Sequence, residues 1–103
     1  MGQTQIELTE RQLQRIAKAI ADPQRFAILR CIADHEEIPC KTLVAQFSIT
    51  QATISHHLKE LVAADLIHSR RVGQMAILSC RREVCEAYTQ FLSQRLVAPG
   101  KLA

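Results

Sequence analysis

Apolar residues recur at helical spacing along the first two thirds of the chain. Leu8, Leu13, Ile16, Ala17 and Ile20 predict a first helix over residues 9–20. Thr9 followed by Gln12 has the spacing of a capping box. Asp22-Pro23 reads as the next start, with Asp capping and Pro in the first helical position. Phe26, Ile28, Leu29 and Ile32 then line a second helix that ends near His35. Pro39 punctuates the connection. Leu43, Val44 and Phe47 face inward from a short third helix over 41–47. Ser48-Ile49 is a turn and Thr50 the N-cap of a fourth helix, whose buried stripe is Ile54, Leu58, Leu61 and Val62 and which ends about Asp65. There the period falls to two. Residues 66–72 and 75–79 read as short strands paired about Gly73-Gln74. A last helix spans 82–96, with Val84, Tyr88, Phe91, Leu92 and Leu96 apolar, and Pro99-Gly100 closes it. Residues 1–8 read as a flexible N-terminus and 98–103 as a tail, around one domain over 9–97.

Four helices, a hairpin and a helix make a mainly α chain with a two-stranded wing, a winged helix-turn-helix. The outward face of the fourth helix carries Gln51, Thr53, Ser55, His56 and Lys59. These side chains are hydrogen-bonding or cationic and short enough to reach base edges and phosphates. A helix of that kind, preceded by a second short helix, is what enters the DNA major groove. The hairpin tip, with Arg70, Arg71 and Gln74 around Gly73, would lie beside the duplex backbone or in the minor groove, where negative potential is concentrated. Other readings stay open at single positions. Thr50 either holds phosphate or only caps its helix, and Lys59 either holds phosphate or only solvates it. Arg25 meets phosphate or an acidic neighbour. His57, between Ile54 and Leu58, reads as a packed histidine rather than a base reader.

Composition sharpens this picture. A chain of 103 residues with three Phe, one Tyr and no Trp is one domain that buries limited surface alone, leaving room for a dimer interface. The net charge is only +3, but its placement is uneven. Lys41, Lys59, Arg70, Arg71, Arg81 and Arg82 gather in the segment that holds only Glu60 and Asp65. The first forty residues carry five basic and six acidic side chains. Phosphate binding requires such a cluster. A polar N-terminus and the lack of any apolar run near the roughly 20 residues of a bilayer span imply a cytoplasmic protein without membrane contact. In that compartment Cys31, Cys40, Cys80 and Cys85 are expected as thiols. Three glycines provide no phosphate loop, and no Ser-His-Asp or Cys-His order stands in a catalytic context, so no enzyme is expected. The competing classes are a winged-helix protein-interaction module and a DNA-binding regulator with no small effector.

The segment Ala21-Asp22-Pro23-Gln24-Arg25-Phe26-Ala27-Ile28-Leu29 resembles the opening of ArsR/SmtB-type repressors. Residues 50–61 are similar to their recognition helix, and Asp65-Leu66-Ile67 with Arg70-Arg71-Val72-Gly73-Gln74 resembles their wing. The likeness covers roughly residues 10–95. It implies a homodimeric winged-helix transcriptional repressor, with the first and last helices building the dimer and an imperfect inverted repeat as operator. By family position, Gln51, Thr53, Ser55 and His56 would touch bases or nearby phosphates. Lys41, Thr50 and Lys59 would hold the backbone, and Arg70, Arg71 and Gln74 would serve the wing.

Many such repressors leave DNA on binding a metal ion or metalloid, or on thiol oxidation. The family's paired-cysteine motif is absent here, since the local text is Glu37-Ile38-Pro39-Cys40-Lys41. Its last-helix zinc pattern is absent too, because no histidine follows His68. Cys80 and Cys85 remain as a chelating pair if Cys80 precedes the helix, with Cys40 or a partner's cysteine as a third thiolate for arsenite. Zinc would want four ligands. Against both stands the reading of Cys40, Cys80 and Cys85 as ordinary small packed residues. His35-Glu36-Glu37 reads either as a cation site or as a solvated loop.

Overall fold

Asp22 ends one helix and begins the next. In the computed structural model, which describes residues 6–97, α1 spans Glu10–Ala21 and α2 spans Pro23–Ala33. Asp22 lies between them in extended backbone, and its carboxylate accepts the N–H groups of Gln24 at 2.9 Å and Arg25 at 3.0 Å. These are donors that the first turn of a helix leaves unpaired. At the start of α1, Thr9 and Gln12 close the capping box expected from their spacing.

The next elements are β1 (Ile38–Pro39), α3 (Cys40–Ala45), α4 (Gln51–Ala63), β2 (Ile67–Val72), β3 (Met75–Cys80) and α5 (Arg82–Leu92). A wider π-helical turn over Ser93–Val97 carries α5 onward. β2 and β3 form the expected two-stranded wing, and β1 adds a third strand at its base in the order β1-β3-β2, all antiparallel, with Ile38 opposite Leu78 and Pro39 opposite Ile77. A two-residue strand shows no alternation, and Pro39 reads in sequence as a breaker. At a sheet edge its missing N–H costs nothing.

The core gathers where α1, α2, α3, α4 and the sheet meet. Ile16, Ile28, Ile32, Leu43, Ile54 and Leu61 are all fully buried. Some expected core positions face elsewhere. Val62 and Phe26 are 42% and 41% exposed, Leu96 is 75% exposed, and Leu58 is half-buried. The buried stripe of α4 runs Ile54, His57 and Leu61, so Ile54 and Leu61 face inward as expected, His57 is the packed histidine, and Val62 turns outward. Ile6 and Leu8 pack against the core, so residues 6–8 are not free chain. The expectations for residues 1–5 and for the tail over 98–103 lie outside the described residues. Among the described residues, no helix is long and apolar enough to cross a membrane.

Candidate nucleic-acid interface

Two local devices position α4. At its start, Thr50 Oγ1 accepts the Thr53 N–H at 3.1 Å and donates to Thr53 Oγ1 at 2.9 Å. Thr50 is thus a cap, and the Thr53 hydroxyl keeps its own proton for an outside acceptor. At its end, the Asp65 N–H donates to Val62 O and the Leu66 N–H to Leu61 O, the bond pair of a Schellman motif. That motif needs a left-handed residue, and Asp65 supplies it at φ 62°. Its carboxylate accepts Gln12 Nε2 at 3.1 Å and lies 3.6 Å from Arg81 Nη1. Arg15 Nη1 donates to Ala63 O at 3.2 Å, tying α1 to the same helix end.

Between α4 and the wing runs an open groove of about 440 Å³. Gln51, Ser55, Lys59 and Val62 line one wall at helical spacing, and Ser69, Arg71 and Ala76 line the other. Gln51, Ser55, Lys59, Ser69 and Arg71 are its polar and cationic side chains, set among the apolar Leu58, Val62, Ala76 and Leu78. Thr53 and His56 do not line the groove: Thr53 is partly buried and His56 is exposed on another part of the helix surface. Lys41, exposed on α3, and Arg71 make no ion pair among the described residues. Arg70 differs. Its Nε and Nη2 grip the Glu37 carboxylate at 3.2 and 2.9 Å, an exposed bidentate pair that ties β2 to the segment before β1. Gln74 is exposed at the wing tip, after Gly73 at φ 62°. Glycine with positive φ at the first central position is the mark of a II′ hairpin turn.

Behind α4 lies a constellation that sequence reasoning reached only in part. His57 is 5% exposed. Its Nδ1 accepts from Arg25 Nε at 3.2 Å, and its Nε2 meets Gln24 Oε1 at 3.0 Å. Since Arg is always a donor, Nδ1 bears no proton, and Nε2–H donates to Gln24. Arg25 also donates to Lys18 O and Ala19 O, which ties its guanidinium to the end of α1 as well as to the histidine. Burial holds the His57 pKa below its usual value. The Asp22 carboxylate opposes that shift, while Arg25 and His56 add to it. The packed histidine was legible from its flanking apolar residues; Gln24 carried no signal.

The four cysteines are free and half-buried. Cys80 and Cys85 hold their sulfurs 3.7 Å apart. Burial, with Cys80 alongside, pushes the Cys85 thiol up to about 12. Burial also raises the Cys31 and Cys40 thiols. Cys31 Sγ lies 3.4 Å from Gln46 Oε1, and Cys40 lines the groove. His35 Nδ1 bonds Cys31 O at 2.8 Å, so His35 and Glu37 are both engaged elsewhere rather than in a cation site.

Residues 20–70 match the family described as helix-turn-helix domain. The chain is 31% identical over 85 residues to the arsenical resistance operon repressor of Staphylococcus xylosus, covering 82% of this chain and 81% of that protein. Among solved structures, an ArsR-like transcriptional regulator from Rhodococcus sp. RHA1 superposes with a TM-score of 0.72 at 21% identity, over 90% of this chain and 93% of that one. The homodimeric winged helix-turn-helix DNA-binding domain of a possible ArsR-family regulator from Mycobacterium bovis gives 0.67 at 21% identity, over 89% and 93%. With a capped recognition helix, a wing beside it and a repressor relative matched over four fifths of its length, the chain belongs to the ArsR-type winged helix-turn-helix transcriptional regulators.

Proposed function

We propose that this protein is a homodimeric transcriptional repressor that reads an imperfect inverted repeat in double-stranded DNA and is released by a thiol-reactive signal. One observation carries the reading: Gln51, Ser55 and Lys59 line the same groove as Arg71, so helix and wing can engage one duplex together. Gln51, Thr53, Ser55 and His56 are the base-reading set. Lys41, Lys59 and Arg71 hold phosphates, and Gln74 reaches the backbone from the wing tip. Thr50 contributes through its cap, and Arg70 joins the DNA face only as far as Glu37 leaves it free. The Staphylococcus xylosus relative, a repressor of an arsenical resistance operon, supports both repression and a thiophilic signal for this chain.

The test is fluorescence anisotropy with labelled DNA from upstream of the protein's own gene. Specific binding should exceed that to random DNA by 10³-fold or more and fall steeply with salt, because each neutralised phosphate releases counterions. Binding to neither DNA, or affinity indifferent to salt, would favour a protein-interaction module instead.

A further inference from the structure

Two side chains of α1 hold the far end of α4. Gln12 and Arg15 stand three residues apart, so they share one face of α1. Gln12 Nε2 donates to the Asp65 carboxylate at 3.1 Å, and Arg15 Nη1 donates to Ala63 O at 3.2 Å. Ala63 is the last residue of α4, where unpaired carbonyls and the helix dipole favour a cation. Asp65 is the left-handed residue that stops the helix, so its carboxylate leaves the chain at a fixed place.

Glutamine at position 12 serves two partners at once. Its Oε1 accepts the Thr9 N–H at 3.1 Å, closing the capping box of α1, while its Nε2 faces Asp65. The Thr9 N–H can only donate, which fixes the orientation of the amide. Glutamate would close the same capping box but would turn one carboxylate towards another. Asp65 has a second neighbour in Arg81 Nη1, but at 3.6 Å and with both side chains more than a third exposed that pair is worth little. The Gln12 bond is the better placed of the two, being part-buried.

We propose that Gln12 and Asp65 are positioning residues that fix the separation of the two recognition helices and so select the spacing of the operator half-sites. This role rests on the dimeric repressor reading, in which α1 joins the partner while α4 lies in the groove. With 13 residues, α4 spans about 20 Å. One added base pair moves a half-site by about 3.4 Å along the duplex and turns it by about 35°. The free end of a helix of that length covers the same distance with a tilt of about 10°. Pinned to α1 at its end, α4 meets the second half-site only in register; unpinned, it meets a displaced one at less cost. Neither Gln12 nor Asp65 touches DNA in this role.

Fluorescence anisotropy with three labelled DNAs tests it: the inverted repeat footprinted upstream of the protein's own gene, the same repeat with one base pair inserted between its halves, and a single half-site. In the wild type the insertion should cost on the order of 100-fold, because the second half-site is lost as an intramolecular partner. Gln12→Glu should bind the repeat roughly 10-fold more weakly and lose no more than about 10-fold on insertion. Its half-site affinity, dimerisation and helical circular dichroism should match the wild type. The double variant Gln12→Glu/Asp65→Asn swaps donor and acceptor, and asparagine tolerates the left-handed backbone; it should recover both losses. Asp65→Asn alone still accepts from Gln12 and should keep the wild-type spacing preference while giving up the Arg81 pair. Equal loss in that single variant, no recovery in the double variant, or unchanged spacing discrimination in Gln12→Glu would overturn the proposal. Half-site binding weakened as much as binding to the repeat would overturn it too, by placing the damage within α4. A wild type that binds no DNA specifically, or binds it as a monomer, would overturn the dimeric repressor reading itself and the spacing role with it.

Discussion

Protonating His57 would remove the acceptor that Arg25 Nε uses and set a second cation beside it. The folded protein therefore resists that proton, consistent with a pKa held below the usual value, first by burial. The sign follows from linkage. A base whose pKa is depressed on folding contributes stability that is fully present above the unfolded value, about 6.5, and is lost as pH falls below it. Urea midpoints should thus decline between about pH 6.5 and 5 in the wild type, above the range where ordinary carboxylates titrate. His57→Gln, neutral throughout, should be less stable at pH 7 but show a flatter profile; equal slopes in both proteins would remove His57 as the cause. The exposed polar residues divide differently. Gln51→Ala or His56→Ala should cost about 1–3 kcal/mol of preference for operator over random DNA, and equal losses on both DNAs would exclude base reading. Arg71→Ala should weaken both alike and lower the salt slope by about one. Glu37→Gln should raise affinity for random DNA by freeing the Arg70 guanidinium from its bidentate partner; unchanged affinity would leave Arg70 as a purely structural tie.

The elements show why some features were legible in sequence and others were not. Caps announce themselves locally: Thr9 with Gln12, Asp22 before Pro23, and Thr50 all sit where their spacing put them. The hairpin did so too, because a two-residue turn with glycine is a short-range signal. β1 stayed hidden because its partner lies some forty residues away and its two residues have no period of their own. On α4, Ile54 and Leu61 face inward as their spacing predicts, while Val62 turns out. Long-range partners Gln24 and Arg25 make an inward histidine cheaper than the spacing of Leu58 suggests. Likewise, five residues of separation in sequence left the approach of Cys80 to Cys85 open until the bend between β3 and α5 was known. The wing turn gives a test at this scale. A Cβ on Gly73 would meet nothing within 4 Å, so Gly73→Ala should fail only through its positive φ, at a cost of about 1 kcal/mol. A urea midpoint matching the wild type would mean that the turn relaxes to another geometry.

The molecule as a whole is longer than a self-contained domain of its size. Its radius of gyration is 15.2 Å and its extents are 52 × 30 × 22 Å, against about 13 Å for a compact chain of this length. The excess fits a last helix that has little of its own chain to cover it. Of the apolar residues of α5, only Val84 is fully buried, while Tyr88, Phe91 and Leu92 are half-buried. Leu8 before α1, Leu13 of α1, and Ala87 and Phe91 of α5 are apolar residues lining one open cleft of about 600 Å³, with Glu7, Glu83 and Glu86 among its polar ones. A second copy packing α1 and α5 there would bury those apolar side chains and present two recognition helices to successive major grooves about 34 Å apart. Phe91→Glu tests this directly, because it replaces the largest apolar side chain of the cleft with a carboxylate that burial penalises and that Glu83 and Glu86 would repel. The variant should sediment as a monomer at concentrations where the wild type is a dimer and keep its helical circular dichroism. It should also lose on the order of 100-fold in operator affinity, as the second half-site ceases to be an intramolecular partner. A variant that remains dimeric would place the interface elsewhere. One that is monomeric yet binds the full operator as tightly would mean that each protomer reads DNA alone.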